Sequence, residues 1–179
     1  HKIDIFRRKS GGGCIYADKG CIQFSYISRS VNANKAFADY MQRMADLLKG
    51  LKIDAQLSGR NDILIDETKV SGCAFYQLSN RSVLHNSLLF DTQLDHLSNA
   101  LTPAKEKLQS KGVASVRQRV TNVSTYTQLD ILAFMDYVRQ EMCGTKVLEL
   151  TEEDMKGVAE IEKELSSDDF VYGKNPKYS

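Results

Sequence analysis

Short runs of alternating apolar residues, joined by turn-forming clusters, are interrupted by stretches whose apolar residues recur every three or four positions. Those two periodicities predict an α+β fold with a mixed, largely antiparallel sheet and flanking helices. Size sets the third constraint: 179 residues, 42% of them apolar and 26% charged, suffice for one domain with a sizeable core, or one plus a small appendage. Seven Phe and eight Tyr argue against disorder. No apolar run approaches the roughly 18 residues of a membrane-spanning helix.

Taken in order, Ile3, Ile5 and Arg7 alternate with their neighbours and predict a short strand feeding the glycine run that ends at Gly13. Cys14-Ile15-Tyr16 and Ile22 to Ile27 read as two strands around a turn at Asp18-Lys19-Gly20. From Asn34 the period changes. Phe37, Met41, Met44, Leu48 and Leu51 form the stripe of an amphipathic helix, with Gly50 near its stop. Strand patterns resume at Ile53 to Leu57, Ile63 to Ile65, 69–78 and 83–90, the last two separated by a turn at Asn80-Arg81-Ser82. Asp91 is the expected cap of a helix reaching about Leu101, and Pro103 suits the first turn of a short helix after it. Thr127 and Asp130 resemble a capping box before a helix carrying Ile131, Leu132, Met135, Val138 and Met142. A strand over Lys146–Leu150 and a last helix capped by Thr151 complete the expectation.

Lys and Arg total 24 against 23 Asp and Glu, a net charge of +1. That balance excludes a chain built mainly to coat nucleic acid or a membrane surface. The distribution is uneven: residues 1–30 carry six basic and two acidic side chains, residues 151–170 eight acidic and two basic. A basic, glycine-containing segment points to an anion near the N-terminal stretch. The four cysteines form no C-x-x-C pair, so a disulfide scaffold is disfavoured and a reducing, cytoplasmic compartment is expected. No secretory signal precedes the first strand-like segment, and the chain opens on His1, so an incomplete N-terminus is expected.

Four segments are chemically suggestive. In Arg7-Arg8-Lys9-Ser10-Gly11-Gly12-Gly13 the glycines let backbone N–H groups converge on an anion, and the arginines add planar charged forks; a flexible turn with solvated cations reads equally well. The run is neither a Walker A nor a G-x-G-x-x-G motif. Gly59-Arg60-Asn61-Asp62 precedes Lys69-Val70-Ser71-Gly72. A lysine within a strand pattern becomes a point charge aimed at a bound anion if its strand faces a cleft, and Asp62 could hold a metal or a ribose hydroxyl. Locally a surface hairpin explains the same residues better. Leu84-His85-Asn86-Ser87-Leu88-Leu89 places a histidine among apolar residues without the spacing of a structural zinc site. A cysteine nucleophile at Cys73 or Cys143 remains open, whereas Cys14 and Cys21 read as small packed hydrophobes. Finally, Arg117 and Arg119 lie on one face of an extended segment, Lys111 to Asn122, available to phosphate, to an acidic partner or to solvent.

Arg7 to Asp18, Gly59 to Asp62, Lys69 to Gly72, His85 to Leu89 and Ser115 to Asn122 together, in that order, resemble the lipoate–protein ligase A family. Phe170 to Pro176 resembles the end of that family's large domain. The resemblance implies a biotin/lipoate protein ligase fold and assigns residues 1–179 to one catalytic domain, incomplete at its N-terminus. It implies a two-step reaction. Lipoate attacks the α-phosphorus of ATP to give lipoyl-adenylate, and a lysine of an acceptor domain then takes the lipoyl group. By resemblance, Lys69 is the catalytic lysine. Arg8, Ser10, Gly11, Gly12, Gly13, Cys14, Ile15 and Tyr16 line the nucleotide and lipoyl pocket. Asn61 and Asp62 lie near the phosphates, with Asp62 a candidate Mg²⁺ ligand, and Ser71 and Gly72 are further adenylate contacts. His85 and Ser87 flank the acyl-adenylate, while Ile15, Tyr16 and Ala74 cover an aliphatic tail worth about 0.8 kcal/mol per buried methylene.

The implied cofactors are ATP and Mg²⁺, with lipoate as substrate. The implied acceptors are apo lipoyl domains of 2-oxoacid dehydrogenase acyltransferase subunits and the glycine-cleavage H protein, with neither nucleic acid nor membrane as partner. Three departures stand out, the largest being coverage: the family's N-terminal segment before the Arg-Arg motif and its small C-terminal domain are not seen, so a fragment is expected. Ala17 replaces a histidine common in the family, and His85-Asn86-Ser87 replaces His-Gly-Thr, with Asn86 expected to add a side chain in a tight pocket. Alternatives of the same fold are an ATP-independent lipoyl or octanoyl transferase, for which Cys73 could serve as nucleophile, and a non-catalytic lipoate- or adenylate-binding protein.

Overall fold

The computed structural model describes residues 4–10, 13–29, 32–59, 61–101 and 119–173. Contacts divide the chain into two compact units, one formed by residues 12–143 and the other by residues 1–11 with 144–179.

The larger unit is built on a five-stranded sheet: β1 (Cys21–Ser28), β2 (Ala55–Ser58), β3 (Asp62–Ile65), β4 (Thr68–Leu78) and β5 (Arg81–Leu89). Their spatial order is β1-β5-β4-β3-β2, and every pairing is antiparallel. The parallel component expected of a mixed sheet reduces, among the described residues, to one isolated bridge between Lys69 and Val120. β4 and β5 turn at Ser79-Asn80. β3 and β4 turn through Asp66 and Glu67, both left-handed at φ 47° and 60°, the conformation a two-residue hairpin requires and glycine would adopt at lower cost.

Helix α1 (Ala33–Gly50) lies across one face of the sheet. Asn32 caps it by accepting the Lys35 N–H at 3.0 Å. Met41, Met44 and Leu48 of the expected stripe are buried, together with Ala36, Tyr40, Ala45 and Leu47, while Phe37 and Leu51 are half-buried at its edges. Of the buried residues, all but Ala45 join Ile63, Ile65, Val70, Leu84 and Leu88 in a single core. The helix Ile131–Met142 closes that core with Phe134, fully buried and 4.8 Å from Phe90 ring to ring.

A short helix α2 (Leu94–Ala100) begins after Gln93 rather than at Asp91. Thr92 and Gln93 are held by side chains from elsewhere, Asn122 and Asp18, so the chain turns helical only beyond them. Helix α3 (Ile131–Met142) is capped by Asp130, which accepts the Ala133 N–H at 2.8 Å. Thr127 instead accepts the Leu129 N–H, so no capping box forms there. The expected helix at Pro103 lies outside the described residues.

In the smaller unit, α4 (Glu152–Leu165) begins with a complete capping box between Thr151 and Asp154, and α5 (Asp168–Tyr172) is capped by Ser167. Arg7 Nε donates to the Val171 carbonyl at 2.8 Å, and Lys9 Nζ lies 3.0 Å from Glu164 Oε1. Three expected strands do not form: residues 4–8, Cys14–Tyr16 and Lys146–Leu150 carry no regular structure. Each alternates convincingly in sequence, but a strand also needs a neighbour to pair its backbone groups. None is present for them among the described residues.

Candidate functional site

Register determines which side chains meet. Asp62 pairs with Gly72, Gly72 with Ser87, and Ser87 with Gln23, a row running across β3, β4, β5 and β1. The next row pairs Ala74 with His85 and His85 with Ser25. Cross-strand partners project to the same side of a sheet. Asp62, Gly72, Ala74, His85 and Ser87 therefore share one face, and all are half-buried. The opposite, α1-covered face carries Ile63, Ser71, Cys73, Leu84, Asn86 and Leu88.

Simple alternation would put Lys69 on the covered face, with Ser71 and Cys73. A bulge prevents this. Ile63 pairs with Ser71 but Leu64 pairs with Lys69, leaving Val70 as an extra residue on β4. Val70 and Ser71 are accordingly buried in succession, at 0% and 1% exposure, where a regular strand would alternate. The inserted residue reverses parity and aims the lysine at the open face, a common use of bulges beside functional sites.

There the Lys69 ammonium stands 2.8 Å from Asp62 Oδ1, with side chains 38% and 34% exposed. Asp62 Oδ1 is itself buried, and charge rather than hydrogen-bond alignment holds the contact. Gly72 makes the arrangement possible: a Cβ on it would sit 2.9 Å from Lys69 Nζ. The lysine main chain is also tied down, its carbonyl accepting the Thr121 N–H at 3.0 Å. The result is a directed, partly desolvated cation paired with one carboxylate on a glycine floor. Such a group can receive negative charge from a ligand without first reorganising.

Asn61 shares the neighbourhood, but its backbone carbonyl accepts from Cys73 N and its Nδ2 donates to the Cys73 carbonyl, at 2.8 and 2.9 Å. Its visible role is to hold the start of β3 against β4. Ser71 faces the core. Asn86 does too, at 1% exposure, so the side chain expected to crowd a pocket points to the other side of the sheet. Cys73 is 3% exposed on the same covered face, and burial, the largest influence, pushes its thiol up to about 12. A protonated, enclosed sulfur is a poor nucleophile, so the Cys73 option is overturned. Cys14 and Cys143, expected respectively as a packed hydrophobe and a possible nucleophile, are both exposed. Cys21 is half-buried, its thiol pushed up to about 11 chiefly by burial.

Of the glycine-run residues, Arg8 and Ser10 belong to the smaller unit and are half-buried, whereas Gly13, Cys14, Ile15 and Tyr16 belong to the larger. Gly11, Gly12, Arg60 and Arg117 lie outside the described residues. Asp18 and Asn122 have structural roles that local pattern did not show. Asp18 accepts N–H groups from Gly20 and Gln93. Asn122 exchanges two hydrogen bonds with the Thr92 backbone. The Asx turn at Asp18 is readable from Asp-x-Gly; Asn122 gives no comparable signal.

A cavity of about 610 Å³ in the larger unit is lined by Tyr16, Asp18, Gly20, Phe90, Asp91, His96 and Asp130, among others, and by none of Asp62, Lys69 or Gly72. Its carboxylates serve the scaffold: Asp18 holds main-chain N–H groups, Asp130 caps α3, and Asp91 accepts from the Ser124 hydroxyl. The lysine-bearing sheet face is the better candidate.

The lipoyl protein ligase A/B catalytic domain model matches residues 1–143. Lipoate–protein ligase 1 of Staphylococcus aureus is 35% identical over 190 residues, covering 100% of this chain and 57% of that protein. The lipoate–protein ligase LplJ of Bacillus subtilis is 34% identical over 187 residues, covering 99% of this chain and 56% of its own length. The chain thus spans a little over half the length of these curated relatives. Among solved structures, the archaeal bipartite lipoate protein ligase from Thermoplasma acidophilum, described with its E2 lipoyl domain, superposes with a TM-score of 0.80 at 26% identity. That match covers 97% of this chain and 72% of the archaeal one.

Proposed function

The chain belongs to the lipoyl protein ligase A/B catalytic-domain family, and on that premise we propose that the protein is an ATP-dependent lipoate–protein ligase. One observation carries the assignment: the bulge that turns Lys69 onto the open sheet face, over Gly72 and beside Asp62.

In the first step a lipoate carboxylate oxygen bonds to the α-phosphorus of ATP, and the bond from that phosphorus to the β-phosphate bridging oxygen breaks, releasing pyrophosphate. Negative charge gathers on the α-phosphoryl oxygens, and Lys69 supplies a fixed positive charge for it. In the second step an acceptor lysine amine attacks the acyl carbon, loses a proton, and AMP leaves. His85 and Ser87, on the same face, would flank the adenylate, with Ala74 under the acyl chain. In the larger unit, Gly13, Cys14, Ile15 and Tyr16 are proposed as further contacts of the nucleotide and lipoyl group; for Arg8, Ser10, Gly11 and Gly12 the family resemblance alone supports a part in binding, as it does for residues 1–179 being one catalytic domain.

Asp62 suits the Mg²⁺ that accompanies a nucleotide, since such ions often take one or two protein carboxylates and fill the rest with phosphate oxygens and water. Among the described residues no group of three or more His, Cys, Asp or Glu could cage a metal unaided. The ion would neutralise phosphate charge. The proposed acceptors are apo lipoyl domains of 2-oxoacid dehydrogenase acyltransferase subunits, supported by likeness to the Thermoplasma ligase and its E2 lipoyl domain, and secondly the glycine-cleavage H protein. Four free cysteines suit a reducing compartment, and we assign the cytoplasm. No helix among the described residues is long and apolar enough to cross a membrane.

The test is the intact mass of an apo lipoyl domain incubated with the full-length protein, lipoate and Mg-ATP, beside a sample lacking ATP. A lipoyl increment that requires ATP is expected. An increment without ATP, or none under either condition, would overturn the ligase assignment.

A further inference from the structure

Beneath the bulge, on the covered face, runs a buried polar chain that the reaction itself does not use. The Tyr40 hydroxyl of α1 donates to Asn86 Oδ1 on β5, and Asn86 Nδ2 donates to Ser71 Oγ on β4 at 2.8 Å. Tyr40, Asn86 and Ser71 are 2%, 1% and 1% exposed. Burial pushes the Tyr40 phenol well up, so it remains a donor.

Three polar side chains in a core are costly unless each finds a partner, and satisfied networks of this kind fix geometry more than they add stability. Their location gives the fixation a target. Ser71 directly follows Val70, the extra residue of the bulge, and Lys69 directly precedes it. Thr121 holds the Lys69 carbonyl from one side, and Asn86 holds the Ser71 side chain from the other. The bulge is therefore clamped at both flanks. The second clamp runs along the covered face to α1, the helix that packs on it.

We propose that Tyr40, Asn86 and Ser71 form a positioning relay that holds the β4 bulge in the register aiming the Lys69 ammonium at the reacting phosphate. None of the three needs to touch substrate for this. The inference rests on the ligase assignment for what Lys69 does, but not for whether the relay sets the bulge.

Two nearly isosteric variants test it in the full-length protein. Asn86→Leu removes both hydrogen bonds while filling the same space. Tyr40→Phe removes only the outer one and serves if Asn86→Leu does not fold. One measurement is single-turnover formation of lipoyl-adenylate, in which lost folded protein lowers the amplitude and misaimed lysine lowers the rate constant. The other is backbone amide exchange at Val70 and Ser71, which needs no activity. The expected result is a rate constant reduced about tenfold at wild-type amplitude, with faster exchange confined to the bulge. Unchanged exchange at the bulge would overturn the relay whatever the activity. Faster exchange with an unchanged rate constant would also overturn it as a positioning device. If wild-type protein formed no adenylate, the ligase assignment would fall, and the exchange data would still decide whether the relay holds the bulge.

Discussion

The two faces of β4 carry nearly adjacent residues with opposite fates. Lys69 and Gly72 look outward, where a third of the lysine side chain remains accessible beside Asp62. Ser71 and Cys73 look inward, sealed beneath α1. A single inserted residue, Val70, separates the outcomes. Residue chemistry alone therefore does not assign a role: a thiol and a hydroxyl within four positions of the lysine are removed from ligand chemistry by which way the strand turns.

The strongest test of the contrast is Lys69→Ala. Pyrophosphate release is expected to fall on the order of a thousandfold, the scale of losing a preorganised charge-stabilising group. Circular dichroism should be unchanged, since a pair this exposed contributes little to stability. Wild-type release rates would remove Lys69 from the mechanism. Gly72→Ala comes next. The added Cβ crowds the flexible end of Lys69, with Asp62 Oδ1 at an ordinary 3.8 Å, so the strand can accept it while the ammonium must leave its place. About tenfold slower adenylate formation is expected, with the thermal midpoint moving by no more than about 2 °C. A matching loss of stability would show that the glycine serves packing instead.

The covered face has its own signature. Iodoacetamide at pH 8 should label Cys14 and Cys143 in the native protein and spare Cys73, as peptide mapping can show. The Cys73 thiol is raised from its ordinary value of 9.0 to about 12, so between those values the unfolded chain has given up a proton that the folded chain keeps. Stability should then fall as pH rises from about 9 towards 12, by up to about 1.4 kcal/mol per pH unit for one thiol. Cys73→Ala should flatten that slope in urea titrations. An unchanged slope would mean that the sulfur is solvated.

The smallest effect concerns the turn that joins the hairpin ahead of the bulge. Glu67 is left-handed at φ 60°, and Glu67→Gly should stabilise the protein by about 0.5–1 kcal/mol. The adenylate rate should be unaltered, since the turn lies outside both faces. A changed rate would indicate that turn strain reaches the lysine.

Helix α1 was legible because Met41, Met44 and Leu48 of its expected stripe are buried, and β5 because turn residues set off a run of strand length, although its buried positions include the polar Ser82 and Asn86. Capping was only half legible. Thr151 with Asp154 behaves as written, whereas Asp91 is not the cap it promises to be, because Asp18 and Asn122 hold Thr92 and Gln93 from distant parts of the chain. The site was legible as an ordered set of motifs resembling a family, not as geometry. Asn86 shows the gap. Its neighbours His85 and Ser87 marked it as a pocket residue, yet alternation carried its side chain into the core, where Tyr40 and Ser71 satisfy it.

What the amino-acid sequence determined by itself was local: helix stripes, turn residues, strand alternation and the order of motifs, all of which depend on near neighbours. Which face Lys69 occupies, which cysteine is sealed and which strand-like segments pair were left to tertiary structure. A bulge exists only relative to the strand beside it, desolvation depends on what packs above, and a strand without a partner leaves its backbone groups unpaired.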